Sequence, residues 1–117
     1  MTTLLCHVIA GVASVTMDPG MIESPRYDGA RIEITIDDTL DIRVNGTYDR
    51  NYSYAAHNIG LTATRLRDRW MLEASEGDEL RETIIITDTG QMMWTQLANA
   101  DSVHASSASL FIGSCER

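Results

Sequence analysis

The 117-residue chain has two cysteines, Cys6 and Cys115, which stand at its opposite ends. Nearly everything between them has the pattern of short strands separated by turns. In an antiparallel sheet that closes on itself, the first and last strands become neighbours, so one disulfide between these cysteines would lock the closure. The alternative is two separate buried thiols that behave as small hydrophobic side chains.

Alternation of apolar and polar residues predicts most of the strands. The strongest signal covers residues 31–37, where isoleucines occupy one face. Residues 40–44 alternate in the same way, and Asn45-Gly46 then signals a two-residue hairpin with a new strand from Thr47. Residues 17–27 hold both prolines and are predicted to form the longest irregular loop. Further strands are predicted at residues 2–16, 61–66, 69–74, 80–87, 91–97 and 103–115.

These segments together predict an all-β fold. Short connections make sequential neighbours antiparallel, so we expect a meander of about eight or nine short strands that closes into a small barrel. A β-sandwich is the alternative. The length suits one core, so residues 1–117 are expected to form a single barrel-like domain.

The charge balance restricts the partners. Seventeen acidic and nine basic residues give a net charge of −8, and such a surface repels phosphate backbones and anionic lipid. No apolar run approaches the ~20 residues of a membrane span, so neither nucleic acid nor membrane insertion is expected. All nine basic residues are arginine, a bias that we assign to a G/C-rich genome.

The cysteines also bear on the compartment. A disulfide requires an oxidising environment, which predicts a periplasmic or secreted protein. The apolar residues 2–16 lack the positive start of a secretory signal and are read as a strand. The chain is then either a cytoplasmic protein that starts at Met1, which is the alternative, or a mature exported domain with a replacement methionine.

The sequence contains little catalytic or metal-binding chemistry. His7, His57 and His104 are scattered, and no cysteine or histidine lies at zinc-type spacing from another. The aspartates around the turn at residues 37–41 do not match a calcium loop. We therefore predict no catalytic residue, no metal and no cofactor. A second acidic group surrounds a hairpin, where charges commonly protect an exposed edge: Glu73, Glu76, Asp78, Glu79 and Glu82.

Tyrosines suggest one binding surface. If residues 47–55 are extended, Tyr48, Tyr52 and Tyr54 share a face with Arg50, and rings beside a cation suit a ligand or a protein partner. The alternative is that the tyrosines pack over one end of the core with their hydroxyls in water. Residues 49–51 could also form a turn, which would break this face.

The two tryptophans suggest a second surface. Trp70 and Trp94 lie on strands that flank residues 80–87, so they could converge and line an adaptable apolar pocket with Met71, Met92 and Met93. Core packing is the alternative explanation.

The general plan resembles small up-and-down barrels such as lipocalins and bacterial lysozyme inhibitors. Gly11-Val12-Ala13 stands where a lipocalin has Gly-x-Trp, so no site can be carried over. We expect a non-enzymatic binding domain of the bacterial envelope that holds a protein partner or a small ligand. The alternative is a cytosolic or virion-associated structural protein that oligomerises, and the oligomeric state is left open. If the protein were an enzyme, the region of Tyr48, Tyr52, Tyr54 and Arg50 would be the place to look for its active site.

Overall fold

The structure is a computed structural model of the whole chain. It describes residues 2–15, 18–23, 27–37, 39–46, 50–77, 80–99 and 106–116. Within these ranges there are ten strands and a short 3-10 helix, Ala55–His57. The strands are β1 Thr2–Val15, β2 Asp18–Glu23, β3 Arg31–Ile36, β4 Asp41–Asn45, β5 Tyr52–Ser53, β6 Gly60–Arg65, β7 Arg69–Glu76, β8 Leu80–Thr87, β9 Gln91–Asn99 and β10 Ser106–Glu116.

All ten described strands belong to one antiparallel sheet. Its order is β5-β4-β3-β1-β10-β9-β8-β7-β6, and β2 pairs separately with β1. The sheet is strongly curled into a half-barrel, with β5 and β6 at its two ends. The predicted all-β, barrel-like meander is therefore confirmed. A sandwich would need two facing sheets, whereas these strands form one.

The first and last strands lie side by side, as the cysteine positions predict. Cys6 and Cys115 are direct partners in the β1–β10 register and form a disulfide across 109 residues of sequence. The predicted disulfide is confirmed, and the alternative of two separate thiols is wrong. Nearby, Gly113 packs so closely that an added Cβ would overlap the carbonyl oxygen of His7.

The residues of β1 that face the interior switch from even-numbered to odd-numbered positions halfway along the strand. Leu4, Cys6 and Val8 are buried, but the β1–β10 register shifts between Val8 and Ala10. A bulge of this kind inserts one extra residue and reverses which alternate positions face inward. Beyond it, Ala13 is one of the residues that line the interior. The bulge lets one long strand pair with β3 at its start and with β2 further on.

The interior of the half-barrel is filled by one apolar core. Its centre contains Trp94 and Ile34, both 0% exposed. The inward positions of β3, β7 and β8 alternate with exposed or half-buried ones, which is why the isoleucine pattern of β3 could be predicted from sequence. The largest fully buried side chains are Trp94, Phe111, Ile32, Ile34, Ile42, Leu72, Ile84, Met92 and Val8.

Two local predictions are wrong. The predicted loop at residues 17–27 contains β2, which pairs with the second half of β1 and satisfies backbone groups there. Asn45-Gly46 does not make a two-residue hairpin, because Val44 pairs with Tyr52 and the connection is longer. Neither residue has the positive φ that such a turn requires. A Cβ added at Gly46 would lie 3.1 Å from the Cβ of Ala30, so the glycine allows a close approach to Ala30. No helix in the described ranges has the length and hydropathy of a membrane span.

Candidate functional site

A pocket of about 510 Å³ opens at one end of the half-barrel. It lies at the start of β8, and residues from both halves of the sheet surround it. Nine of its thirteen described lining residues are apolar or aromatic and four are polar, so polar groups form a substantial part of the wall. The lining residues are Ala13, Tyr27, Val44, Tyr52, Tyr54, Ile59, Leu80, Glu82, Gln96, Ala98, Ser107, Ser109 and Phe111.

Glu82 is the acidic group of this pocket. Strand β8 alternates so that Glu82, Ile84 and Ile86 face the interior, and Glu82 is only 4% exposed. The prediction that it belongs to a solvated acidic hairpin is wrong for this residue. Glu73 and Glu76 of the same predicted group are exposed, and Asp78 and Glu79 lie outside the described residues.

Three neutral donors converge on one oxygen of this carboxylate. The hydroxyl of Tyr54 donates to Oε1 at 2.9 Å, the indole Nε1 of Trp94 at 2.9 Å, and the side-chain amide of Gln96 at 2.7 Å. Trp94 and Gln96 are on β9, beside β8, whereas Tyr54 comes from the far side of the interior, just after β5. The carboxylate is thus held in place from both sides of the half-barrel.

Burial governs the acid–base behaviour of this group. It raises the pKa of Glu82, and the hydrogen bonds from Gln96, Tyr54 and Trp94 oppose the rise without cancelling it. The exposed carboxylate of Glu76 raises the pKa of Glu82 further. Burial and the neighbouring Glu82 also raise the pKa of Tyr54, so its hydroxyl remains a donor.

Aromatic rings form much of the pocket wall and floor. The ring of Tyr27 lies 4.8 Å from Trp94 and 5.0 Å from Phe111, measured between centroids. At the rim, Tyr52 meets Tyr54 edge-to-face at 5.6 Å and stacks on His57 at 4.1 Å. These contacts fix the rings in place, which favours recognition of a flat or cationic ligand.

The predicted binding residues divide between different places. Tyr52 and Tyr54 line the pocket, and Trp94 lies beneath it as a donor to Glu82. Arg50 is exposed and is not among the lining residues, since Asn51 has a positive φ of 51° and the chain is not extended there. Tyr48 lies outside the described residues. Whether these side chains bind anything stays a prediction.

Trp70 lines a different pocket, of about 430 Å³, near the other end of β8. The guanidinium carbon of Arg65 lies 5.6 Å from the Trp70 ring centroid, and both terminal nitrogens of Arg65 donate to Asp88 at 2.9 Å. The two tryptophans do flank β8, but Trp70 is level with Ile86 and Trp94 with Ile84. Of the three methionines predicted to line a pocket with the tryptophans, only Met92 is buried. Met71 and Met93 occupy the alternate positions of their strands.

The turn beside the pocket is held by a buried aspartate. Asp41 accepts hydrogen bonds from Ser53 Oγ at 2.8 Å and from the backbone N–H of Ala55 at 3.0 Å. Burial alone would raise the pKa of Asp41, but these bonds and the contact with Arg43 lower it overall. His57 Nδ1 contacts the backbone oxygen of Ser53 and not its hydroxyl, so Asp41, Ser53 and His57 fasten the turn and do not form a nucleophile relay.

The described residues contain no group of three or more His, Cys, Asp or Glu side chains placed to hold a metal ion. His7 contacts the hydroxyl of Ser114 at 3.3 Å, at the exposed face of the β1–β10 pair. His104 lies outside the described residues.

Sequence reasoning missed Glu82 and Gln96. The sequence held a signal for both residues. In a strand, Glu82 lies on the same face as Ile84 and Ile86, and Gln96 lies on the same face as Met92 and Trp94. A polar residue at an inward position of a strand is a candidate for a buried, hydrogen-bonded role.

Comparison of the chain with protein-family models, with curated proteins and with solved structures finds no match.

Proposed function

We propose that this protein is a non-enzymatic binding domain that holds a small ligand in the pocket around Glu82. The observation that supports the proposal is a cavity of about 510 Å³ whose wall combines fixed aromatic rings with one buried carboxylate. Ligand pockets typically have about 300–1,000 Å³ and a largely apolar lining with a few placed polar groups. Of the two partner classes expected from sequence, a small ligand fits this concave site better than a protein surface.

Binding can be tested by filling the pocket. Isotope-labelled protein would be titrated with a panel of small aromatic compounds while its backbone amide signals are recorded. We expect shifts at Tyr54, Ile59 and Gln96, and their loss in Ala98→Trp, which places a bulky ring in the pocket. Leu97→Trp is the matched control, because Leu97 is the next residue of β9 and is 59% exposed. Shifts that persist unchanged in Ala98→Trp would contradict the proposal.

We place the protein in the periplasm or outside the cell. The Cys6–Cys115 disulfide supports this, since such bonds persist in oxidising compartments. The test is the intact mass of protein from its native host, alkylated with and without prior reduction. Thiols that react only after reduction, in a chain trimmed from a longer precursor, would support export. Thiols that react at once would favour the cytoplasm.

A second candidate function is self-association through the outer face of the sheet. An apolar row crosses four adjacent strands there, because Ile85 pairs with Met93, Met93 with Ile112, and Ile112 with Ala10. Met93 and Ile112 are 44% and 47% exposed. Such a row suits an oligomerising structural protein, the alternative expected from sequence.

Size measurement under reducing conditions tests this second candidate. If this candidate is correct, we expect a stable multimer that the variant Met93→Glu dissociates. Gln91→Glu is the control, because Gln91 is also exposed on β9 and the substitution adds the same charge. A monomer at all concentrations would remove the candidate.

A further inference from the structure

The pocket around Glu82 contains a carboxyl group with no cationic side chain among the described residues that line it. Glu82 is the one charged residue among the described residues that line it. Its three hydrogen-bond donors, Tyr54, Trp94 and Gln96, are neutral. The preceding residue of β8, Arg81, is exposed and occupies the alternate position, which faces away from the interior. An ionised carboxylate in such a place gains most from a cation brought by a ligand.

The two oxygens of this carboxylate are used unequally. All three donors bond to Oε1, and no described residue donates a hydrogen bond to Oε2. A carboxylate can accept about four hydrogen bonds in total. The remaining capacity is therefore on Oε2, in a side chain that is 4% exposed and lines the pocket. Hydrogen bonds between an ammonium group and a carboxylate are among the stronger ones in proteins.

The surroundings of Glu82 also favour a positive ligand. The rings of Tyr52 and Tyr54 stand at the pocket, and ring faces attract cations electrostatically. Glu76 is exposed and pairs with Leu80, which is itself a lining residue. With a net charge of −8, the whole molecule attracts cations toward its surface.

We infer that the ligand of this pocket is a small primary amine on an aromatic or apolar body, bound through its ammonium group to Glu82. The inference rests on the proposed function, because it names the chemical class of ligand for the same site. The ammonium group donates to the carboxylate, and the apolar body packs against the ring of Tyr54 and the neighbouring apolar wall.

The test uses three probes that share a phenyl ring and differ in the polar group. Phenethylamine carries an ammonium, 2-phenylethanol a neutral hydroxyl, and 3-phenylpropanoate a carboxylate. Their affinities for the intact, oxidised protein would be measured by calorimetry or amide shifts at neutral pH. We expect phenethylamine to bind at least about tenfold more tightly than 2-phenylethanol, and 3-phenylpropanoate to bind most weakly.

The variant Glu82→Gln tests whether the charge of Glu82, and not the shape of its side chain, selects the ligand. It keeps the size of the side chain and an oxygen for the three donors, but it removes the negative charge. We expect it to lower the affinity for phenethylamine about tenfold and to leave that for 2-phenylethanol unchanged. Glu73→Gln is the control, because it removes an equal charge from an exposed position of β7.

The outcomes distinguish the inference from the proposed function. If the amine and the alcohol bind equally well and both lose affinity in Ala98→Trp, the pocket is a binding site but the amine inference is overturned. If Glu82→Gln lowers both affinities equally, the charge is not what selects the ligand, and the inference again fails. If none of the three probes binds, the proposed function is overturned together with the inference.

Discussion

The Tyr54 hydroxyl donates a 2.9 Å hydrogen bond to Oε1 of Glu82 across the interior of the curled sheet. Tyr54 follows β5 at one end of the sheet order, and Glu82 is on β8, two strands from the other end. Within the described part of the chain, no strand pairing joins these two ends. This side-chain contact, at the floor of the pocket, therefore connects two parts of the half-barrel that are not joined by backbone hydrogen bonds between strands.

Removing that hydroxyl should destabilise the fold. In Tyr54→Phe, Glu82 keeps two of its three donors, and we expect the free energy of unfolding to fall by about 1–3 kcal/mol, as for hydrogen bonds to charged groups. Urea denaturation of Tyr54→Phe, Glu82→Ala and the double variant gives the coupling between the two residues, because alanine leaves no acceptor for the hydroxyl. A coupling energy below about 0.5 kcal/mol would mean that the hydroxyl does not act through Glu82.

The stability of the protein should depend on the protonation of Glu82. Because the pKa of Glu82 is raised in the folded state, folding is favoured most below the unfolded value of 4.5, where the group is protonated in both states. As pH rises through the folded pKa, the buried group must ionise and that stability is lost. We expect Glu82→Gln to gain stability relative to wild type as pH rises above the unfolded value of 4.5, and the gain to level off above the raised folded pKa.

Urea midpoints at several pH values measure this gain. Glu73→Gln again serves as the control for the loss of one negative charge. A difference between Glu82→Gln and wild type that stays constant across the whole pH range would contradict the expected linkage.

The disulfide should contribute several kcal/mol. It closes a loop across 109 residues of sequence, and in the chain-entropy model a loop of this size stabilises by about 4–5 kcal/mol, although measured effects are often smaller. We expect Cys6→Ala/Cys115→Ala to unfold at a clearly lower denaturant concentration than the oxidised wild type. Reductant should lower the wild-type midpoint in the same way and leave the double variant unchanged. Equal midpoints for oxidised wild type and the variant would show that the bridge adds no stability.

Gly113 should tolerate no side chain. A Cβ at this position would overlap the carbonyl oxygen of His7 and lie 2.8 Å from Cε of Met92. We expect Gly113→Ala to destabilise the protein by about 1–3 kcal/mol, the usual range for overpacking. Gly60→Ala is the control, because its Cβ would meet Ser75 at an ordinary 3.6 Å. Similar thermal midpoints for the two variants would contradict the close approach of β1 and β10.

The sequence by itself determined the strand content and the pairing of the first strand with the last. Alternation in residues 31–37 needs only the chain's own periodicity, so β3 could be predicted closely, and the strand predicted at residues 80–87 coincides with β8. The pairing of Cys6 with Cys115 follows from their places in the first and last strands, since closing a meander makes those strands neighbours.

Only the tertiary structure decided what the polar and aromatic side chains do. The alternation along a strand tells which residues share a face of the sheet, but not which distant residues they contact. Those contacts depend on the curl of the sheet, on the strand register and on the bulge between Val8 and Ala10, which are set across the whole sheet. Those contacts bring Tyr54 and Trp94 to Glu82 and leave Trp70 at a second pocket. A buried carboxylate beside aromatic rings is thus a product of folding, and the candidate site depends on it.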